Sequence, residues 1–230
     1  MTMAARRGAS RFVSRDLARG RQTRSGPSVG RLSGDRGSII AEAALLTPFF
    51  VTLLFGMLEF GSAYRDYLTV SNASVAGARS AAVQANAPFA DWYILRAVEG
   101  ASAAMPSSQI NYVVIYHATA SSTGPTASCK LASSAGTGST YVDACNRFSP
   151  TDLAAVGSGT TPPVAWTTSP PTNTTYWASV NRYVLLTAPG PDYIGIYVNA
   201  SHPWITGLFG STLTLTSNTV AQIEPQKLNS

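Results

Sequence analysis

The chain has 230 residues, 45% apolar and only 12% charged, about half the usual charged share. Its formal charge of +5 is unevenly placed, with nine arginines against Asp16 and Asp35 before residue 38, so that this stretch carries +7 and the remainder −2. The basic balance thus belongs to a leader, which removes a basic globular nucleic-acid binder as the default reading, and two cysteines exclude a disulfide-dense miniprotein.

Residues 1–37 are rich in Arg, Gly and Ser with few apolar anchors. Such a segment buries too little surface to offset its chain entropy, so a disordered basic leader is expected. Taken alone it would also fit an RNA-binding arm or a transit peptide, and the long apolar run next to it decides against both.

From Ile39 to Gly61 the sequence reads IIAEAALLTPFFVTLLFGMLEFG. The charge-free run Ala43 to Leu58 would span about 24 Å as a helix, and with its flanks about 34 Å, against a hydrocarbon core of roughly 30 Å. No polar residue alternates along it to give a buried core helix its wet face, so a membrane helix is the expectation. The arginines lie on one side only, which predicts a cytoplasmic N-terminus and a translocated C-terminal part. A cleaved secretory signal is the second reading, with Gly61-Ser62-Ala63 as a small-x-small site and a released domain after Ala63.

Glu42 stands at the mouth of the apolar run, and an acid in hydrocarbon is a functional candidate by default. It is preceded by Gly37-Ser38-Ile39-Ile40-Ala41, giving Gly, four residues, then Glu, between a basic leader and an apolar helix. This resembles the cleavage site of type IV prepilin peptidase, which cuts after the glycine. Cleavage would free the α-amine of Ser38 at a helix N-terminus, where the dipole disfavours positive charge, and Glu42 lies one turn away to offset it. Pro48 removes a backbone donor inside the run, so a bend is expected there.

Glu59-Phe60-Gly61 closes the stretch, and an alanine-rich helix continues through NASVAGARSAA, with Arg79 in its Gly-Ala-Arg piece. This string resembles the TadE/TadG-like family of tight-adherence (Flp-type) pilus assembly proteins. The resemblance implies a structural, non-catalytic role, with Glu42 helping to set subunit register. Glu59 is read either as an interfacial residue or as a specific contact. Ala73, Gly77 and Ala81 have small-xxx-small spacing, which suits either a second helix or the chain's own sheet. Tyr64, Leu68 and Val75 lie along another helical face.

Residues 88–105 predict a second amphipathic helix, with Trp92, Leu95 and Val98 on one side, Asp91 and Glu99 elsewhere, and Pro106 as the stop. Strand signals come next at Asn111–His117, Tyr183–Thr187, Tyr193–Asn199 and Thr212–Val220. Residues 118–180 are dominated by Ser, Thr, Ala, Gly and Pro, and read as a poorly structured insertion. Cys129 and Cys145 lie within it, and outside the cytoplasm they would form a disulfide worth about 3 kcal/mol in the chain-entropy model. The end of the chain, residues 192–226, also resembles TadE-like proteins, with Gln222-Ile223-Glu224-Pro225 carrying Gln where that family tends to have Arg.

No nucleophile elbow, zinc-protease helix, phosphate loop or Cys-x-x-Cys is present, and His117 and His202 lack ligand spacing. No enzyme, cofactor or metal site is therefore expected. The predicted architecture is α+β: leader 1–37, a transmembrane and emerging helix 38–86, and an exported domain 87–230 with an antiparallel sheet of about four strands. The implied partners are the lipid bilayer, other pilus or pseudopilin subunits, Tad secretion components and prepilin peptidase, with no nucleic acid. The implied location is the bacterial cytoplasmic membrane, single-pass. A membrane-anchored surface or adhesion protein, with its specificity in residues 118–180, is the alternative.

Overall fold

A computed structural model describes residues 34–84, 86–120, 122–131, 144–162, 177–187 and 189–225, with side chains from residue 37. Most of the predicted leader, and residues 132–143 and 163–176 of the predicted insertion, lie outside the described residues.

The first element is α1 (Gly34–Gln84), 51 residues whose helical hydrogen bonding continues past Pro48. It starts four residues before the expected Ser38. After it come α2 (Ala90–Ala101), β1 (Ile110–Ala118), α3 (Ala127–Lys130), β2 (Cys145–Phe148), α4 (Pro150–Ser158), β3 (Tyr193–Pro203) and β4 (Thr212–Gln222). The four strands form one sheet in the order β2-β1-β3-β4, antiparallel throughout. The architecture is α+β, a long apolar helix followed by a four-stranded antiparallel sheet.

Alternation along the strands gives the sheet two apolar faces. On one, Val113 and Ile115 pair with Val198 and Ile196, joined by Ile194 and Ala200. Helices α2 and α4 supply Trp92, Leu95, Val98, Leu153 and Val156 to this core, and the distal half of α1 supplies Val70, Ala73, Ala78 and Ala81. On the other face, Val114, Tyr116 and Ala118 meet Cys129 and Cys145 under the 122–131 segment. Here Gly195 is required, because a Cβ at that position would lie 2.1 Å from the Tyr116 ring. The ring crosses β3 at this point to hydrogen-bond Asn218 at 2.8 Å.

Two expectations are corrected. Tyr183–Thr187 is not a strand: the Tyr183 amide donates to the Asp192 carboxylate at 2.8 Å, its carbonyl accepts from the Asp192 amide, and the Gly190 amide turns back onto Thr187. Those bonds close a tight loop at both ends of the segment, so its Tyr183 amide and carbonyl and its Thr187 carbonyl are not offered to a ladder. The fourth strand is Cys145–Phe148, inside the stretch read as unstructured. That stretch also holds α4, which opens on a capping box between Ser149 and Asp152 with Pro150 in its first turn.

Candidate functional site

From Ile39 to Leu58, α1 has no protein interior around it. Phe49, Phe50, Leu53, Leu54, Phe55, Met57 and Leu58 are all exposed, as are Ile39, Ile40, Leu45 and Leu46. An 18-residue window of this helix has a mean hydropathy of 2.0 and none of it is buried within the chain, so by length and composition it can cross a bilayer. At its start Glu42 is exposed and accepts a hydrogen bond from the Ser38 hydroxyl at 3.2 Å, one helical turn away. A side chain at Gly37 would meet nothing within 4 Å. The Thr47 hydroxyl beside Pro48 bonds back to the Ala43 carbonyl.

At Glu59 the environment reverses. Its side chain is 1% exposed, and the carboxylate accepts the backbone N–H groups of Ile205 (3.0 Å) and Thr206 in the β3–β4 connection. Two turns further on, the buried Asp66 carboxylate accepts from Arg65 and holds His202 Nδ1 at 2.7 Å. Ser74 comes next, with hydrogen bonds to Ser217 (2.8 Å) and Thr219 (2.9 Å) of β4. The Glu224 amide then closes onto the Ala82 carbonyl. The distal half of α1 is thus fastened at four levels: to the β3–β4 connection at Glu59, to the end of β3 at Asp66, to β4 at Ser74 and to the residues just past β4 at Ala82.

Of the two readings of the small-residue stripe, the geometry follows the intramolecular one. Ala73, Gly77 and Ala81 are buried against the chain's own α2 and sheet. A Cβ on Gly77 would lie 2.7 Å from Val98 and 3.0 Å from Ile196. Tyr64 and Leu68 are exposed on another face, as is Arg79.

Cys129 and Cys145 form a disulfide, 16 residues apart, which ties the segment over the second face to edge strand β2. Asp91, expected away from the core, is buried and paired with the buried Arg182. Asn146 bonds both Asp91 and the Trp177 backbone, and the Arg182 guanidinium lies 4.5 Å from the Trp177 ring. Burial raises the Tyr116 phenol above its ordinary pKa, and burial followed by the neighbouring Tyr197 does the same for Tyr112.

A cavity of about 600 Å³ lies between His117, Thr119, Tyr183 and the Pro189–Tyr193 loop. His117 Nε2 is 3.3 Å from Asp192 there, and its ring packs edge-on to Trp177. Asp192 is already engaged by the Tyr183 amide, so the pair reads as structural. No group of three or more His, Cys, Asp or Glu able to hold a metal occurs among the described residues.

Sequence reasoning missed Asp66, Asp91, Asn146 and Arg182 as structural residues. For Asp66 a signal existed, because Glu59, Ala63, Asp66, Val70, Ala73, Gly77 and Ala81 repeat at three- and four-residue steps along one helix face. For Arg182 no local pattern announces burial.

The chain matches no curated protein and no solved structure. Residues 37–79 match the family model described as TadE-like protein, a stretch that begins at Gly37, takes in Glu42, Pro48 and Glu59, and ends at Arg79. The match does not reach residues 192–226. The similarity to the TadE-like family thus covers 43 of the 230 residues, the stretch that holds the apolar run and the helix emerging from it.

Proposed function

We propose that this protein is a pseudopilin-like structural component of the tight-adherence (Flp/Tad) pilus assembly and secretion machinery, anchored by a single pass through the bacterial cytoplasmic membrane. The observation that carries this reading is the bare apolar stretch of α1, which opens on Gly37-Ser38 and Glu42 within the TadE-like match. The arginines before it keep the N-terminus in the cytoplasm, and the domain built on β1–β4 lies outside. Its disulfide suits an oxidising compartment.

Prepilin peptidase cuts after Gly37, and the new Ser38 amine meets the Glu42 carboxylate of its own chain or of a neighbour. Ser38 and Glu42 are already within hydrogen-bond reach, which supports that pairing. An unanswered charge in lipid is penalised, so the pair favours one register between adjacent helices. Pro48 gives the lipid-facing helix a point at which to bend. The work is assembly through helix packing and protein contacts.

Release after Ala63 is disfavoured by the geometry of that site. The cut would fall inside α1 between Glu59 and Asp66, at a buried residue, and would strip the Glu59 carboxylate from the β3–β4 connection. Mass spectrometry of the mature chain separates the readings. A start at Ser38 is expected; an intact leader means an uncleaved TadG-like or adhesion-type anchor, and a start at Tyr64 means secretion. Glu42→Ala should insert in the membrane normally yet fail to enter the pilus machine. Unchanged incorporation would remove the role given to the carboxylate.

A further inference from the structure

The connection between β3 and β4 carries several large apolar side chains exposed close together. Ile205 is 78% exposed, Leu208 59% and Phe209 47%, and Phe60 on α1 is 57% exposed beside them. Phe60, Trp204 and Phe209 form a ring cluster with centroids 5.0–5.9 Å apart. Gly207 and Gly210, both at positive φ, turn the loop. From Pro203 to Ile223 the sequence contains no Asp, Glu, Lys or Arg.

Position identifies what covers this patch. The Glu59 carboxylate pins the Ile205 and Thr206 amides, so the loop is held at the residue where the apolar run of α1 ends. Leu58 and Met57, exposed on the preceding turn, continue the patch directly into the stretch that lipid surrounds. Because β4 runs alongside α1 from Ser74 to Ala82, its start points back toward the membrane end of the helix. An aromatic cluster with aliphatic neighbours and no charge, at the exit of a spanning helix, has the chemistry of an interfacial belt.

We propose that the β3–β4 loop, with Trp204, Ile205, Leu208, Phe209 and Phe60, inserts into the bilayer interface at the leaflet where α1 emerges. It is a second membrane contact that holds the domain against the surface, and it rests on the reading of α1 as a spanning helix. The loop takes lipid because its apolar surface is continuous with a lipid-covered one.

The full chain, reconstituted into phosphatidylcholine vesicles, tests this with an environment-sensitive fluorophore on single introduced cysteines. The two native cysteines are joined and do not compete for the label. Labels at Ile205→Cys and Leu208→Cys should be quenched more by lipids with a nitroxide near the headgroup than by lipids with one deep in the acyl chain. Leu53→Cys should show the opposite order. Gln222→Cys, at the far end of β4 and about 33 Å away by strand length, should show neither. Quenching at Ile205 and Leu208 no greater than at Gln222, with Leu53 still quenched, overturns the loop insertion and leaves the spanning helix standing. Loss of quenching at Leu53 overturns both. Two exposed label positions guard against damage from either one.

Discussion

The two halves of α1 are one continuous helix with opposite surroundings. Residues 39–58 are the most apolar part of the chain and are bare, whereas residues 59–81 carry Glu59, Asp66, Thr69 and Ser74 and are buried on one face. Apolar content alone would have assigned the core to the wrong half. A helix that is apolar all round needs a solvent of the same kind, whereas one with a single stripe of small residues needs a sheet to lie on. The polar groups in the buried stripe are tolerated because each is hydrogen-bonded: Glu59, Asp66 and Ser74 to the β3–β4 hairpin, and Thr69 to the Arg65 carbonyl of its own helix.

Substitutions that remove one such partner should separate the halves most sharply. Asp66→Leu leaves the His202 imidazole, whose Nε2 has no partner, buried with neither nitrogen satisfied. We expect a loss of about 3 kcal/mol, read by urea unfolding in detergent with tryptophan fluorescence. A loss under about 0.5 kcal/mol would mean the pair contributes little.

Gly77→Val comes next, since its methyls would enter the space held by Val98 and Ile196. Overpacking there should cost about 2 kcal/mol in the same unfolding measurement. An unaffected midpoint would show that α2 can yield without loss.

The smallest effect belongs to the bare apolar half. Leu53→Ala removes a large side chain from a position with no protein packing, so domain unfolding should shift by less than about 0.5 kcal/mol. A loss on the scale of a core Leu→Ala change, about 2–5 kcal/mol, would require a protein neighbour for this face instead of lipid.

Elements with a strong period or composition were legible. The β-branched and aromatic run at Asn111–His117, the run at Tyr193–Asn199 and the Leu/Thr alternation of Thr212–Val220 lie within β1, β3 and β4. The stripe of Trp92, Leu95 and Val98 likewise announced α2, although the helix ends at Ala101 and not at the expected stop before Pro106. Strand β2 was not legible, because CNRF is four residues without apolar alternation and is held by the disulfide and by pairing to β1. YVLLT misled for the converse reason: its composition suits a strand, yet Asp192 takes its amide into a loop. Helix α4 was missed: Ser149-Pro150-Thr151-Asp152 is a capping signal, but it lies inside a stretch whose bulk composition argued for disorder. At the site, Gly37, Ser38, Glu42 and Pro48 were singled out by local motif. The anchoring of Glu59 depends on residues 146 positions away, which no local reading reveals.

The Cys129–Cys145 link joins the strap over Val114 and Tyr116 to the four-residue strand at the sheet's edge. A thiol-rich compartment would loosen both together, baring a tyrosine-lined surface and an unpaired flank of β1 in one step. The cover of one sheet face and the pairing of its edge strand therefore depend on a single redox-sensitive bond.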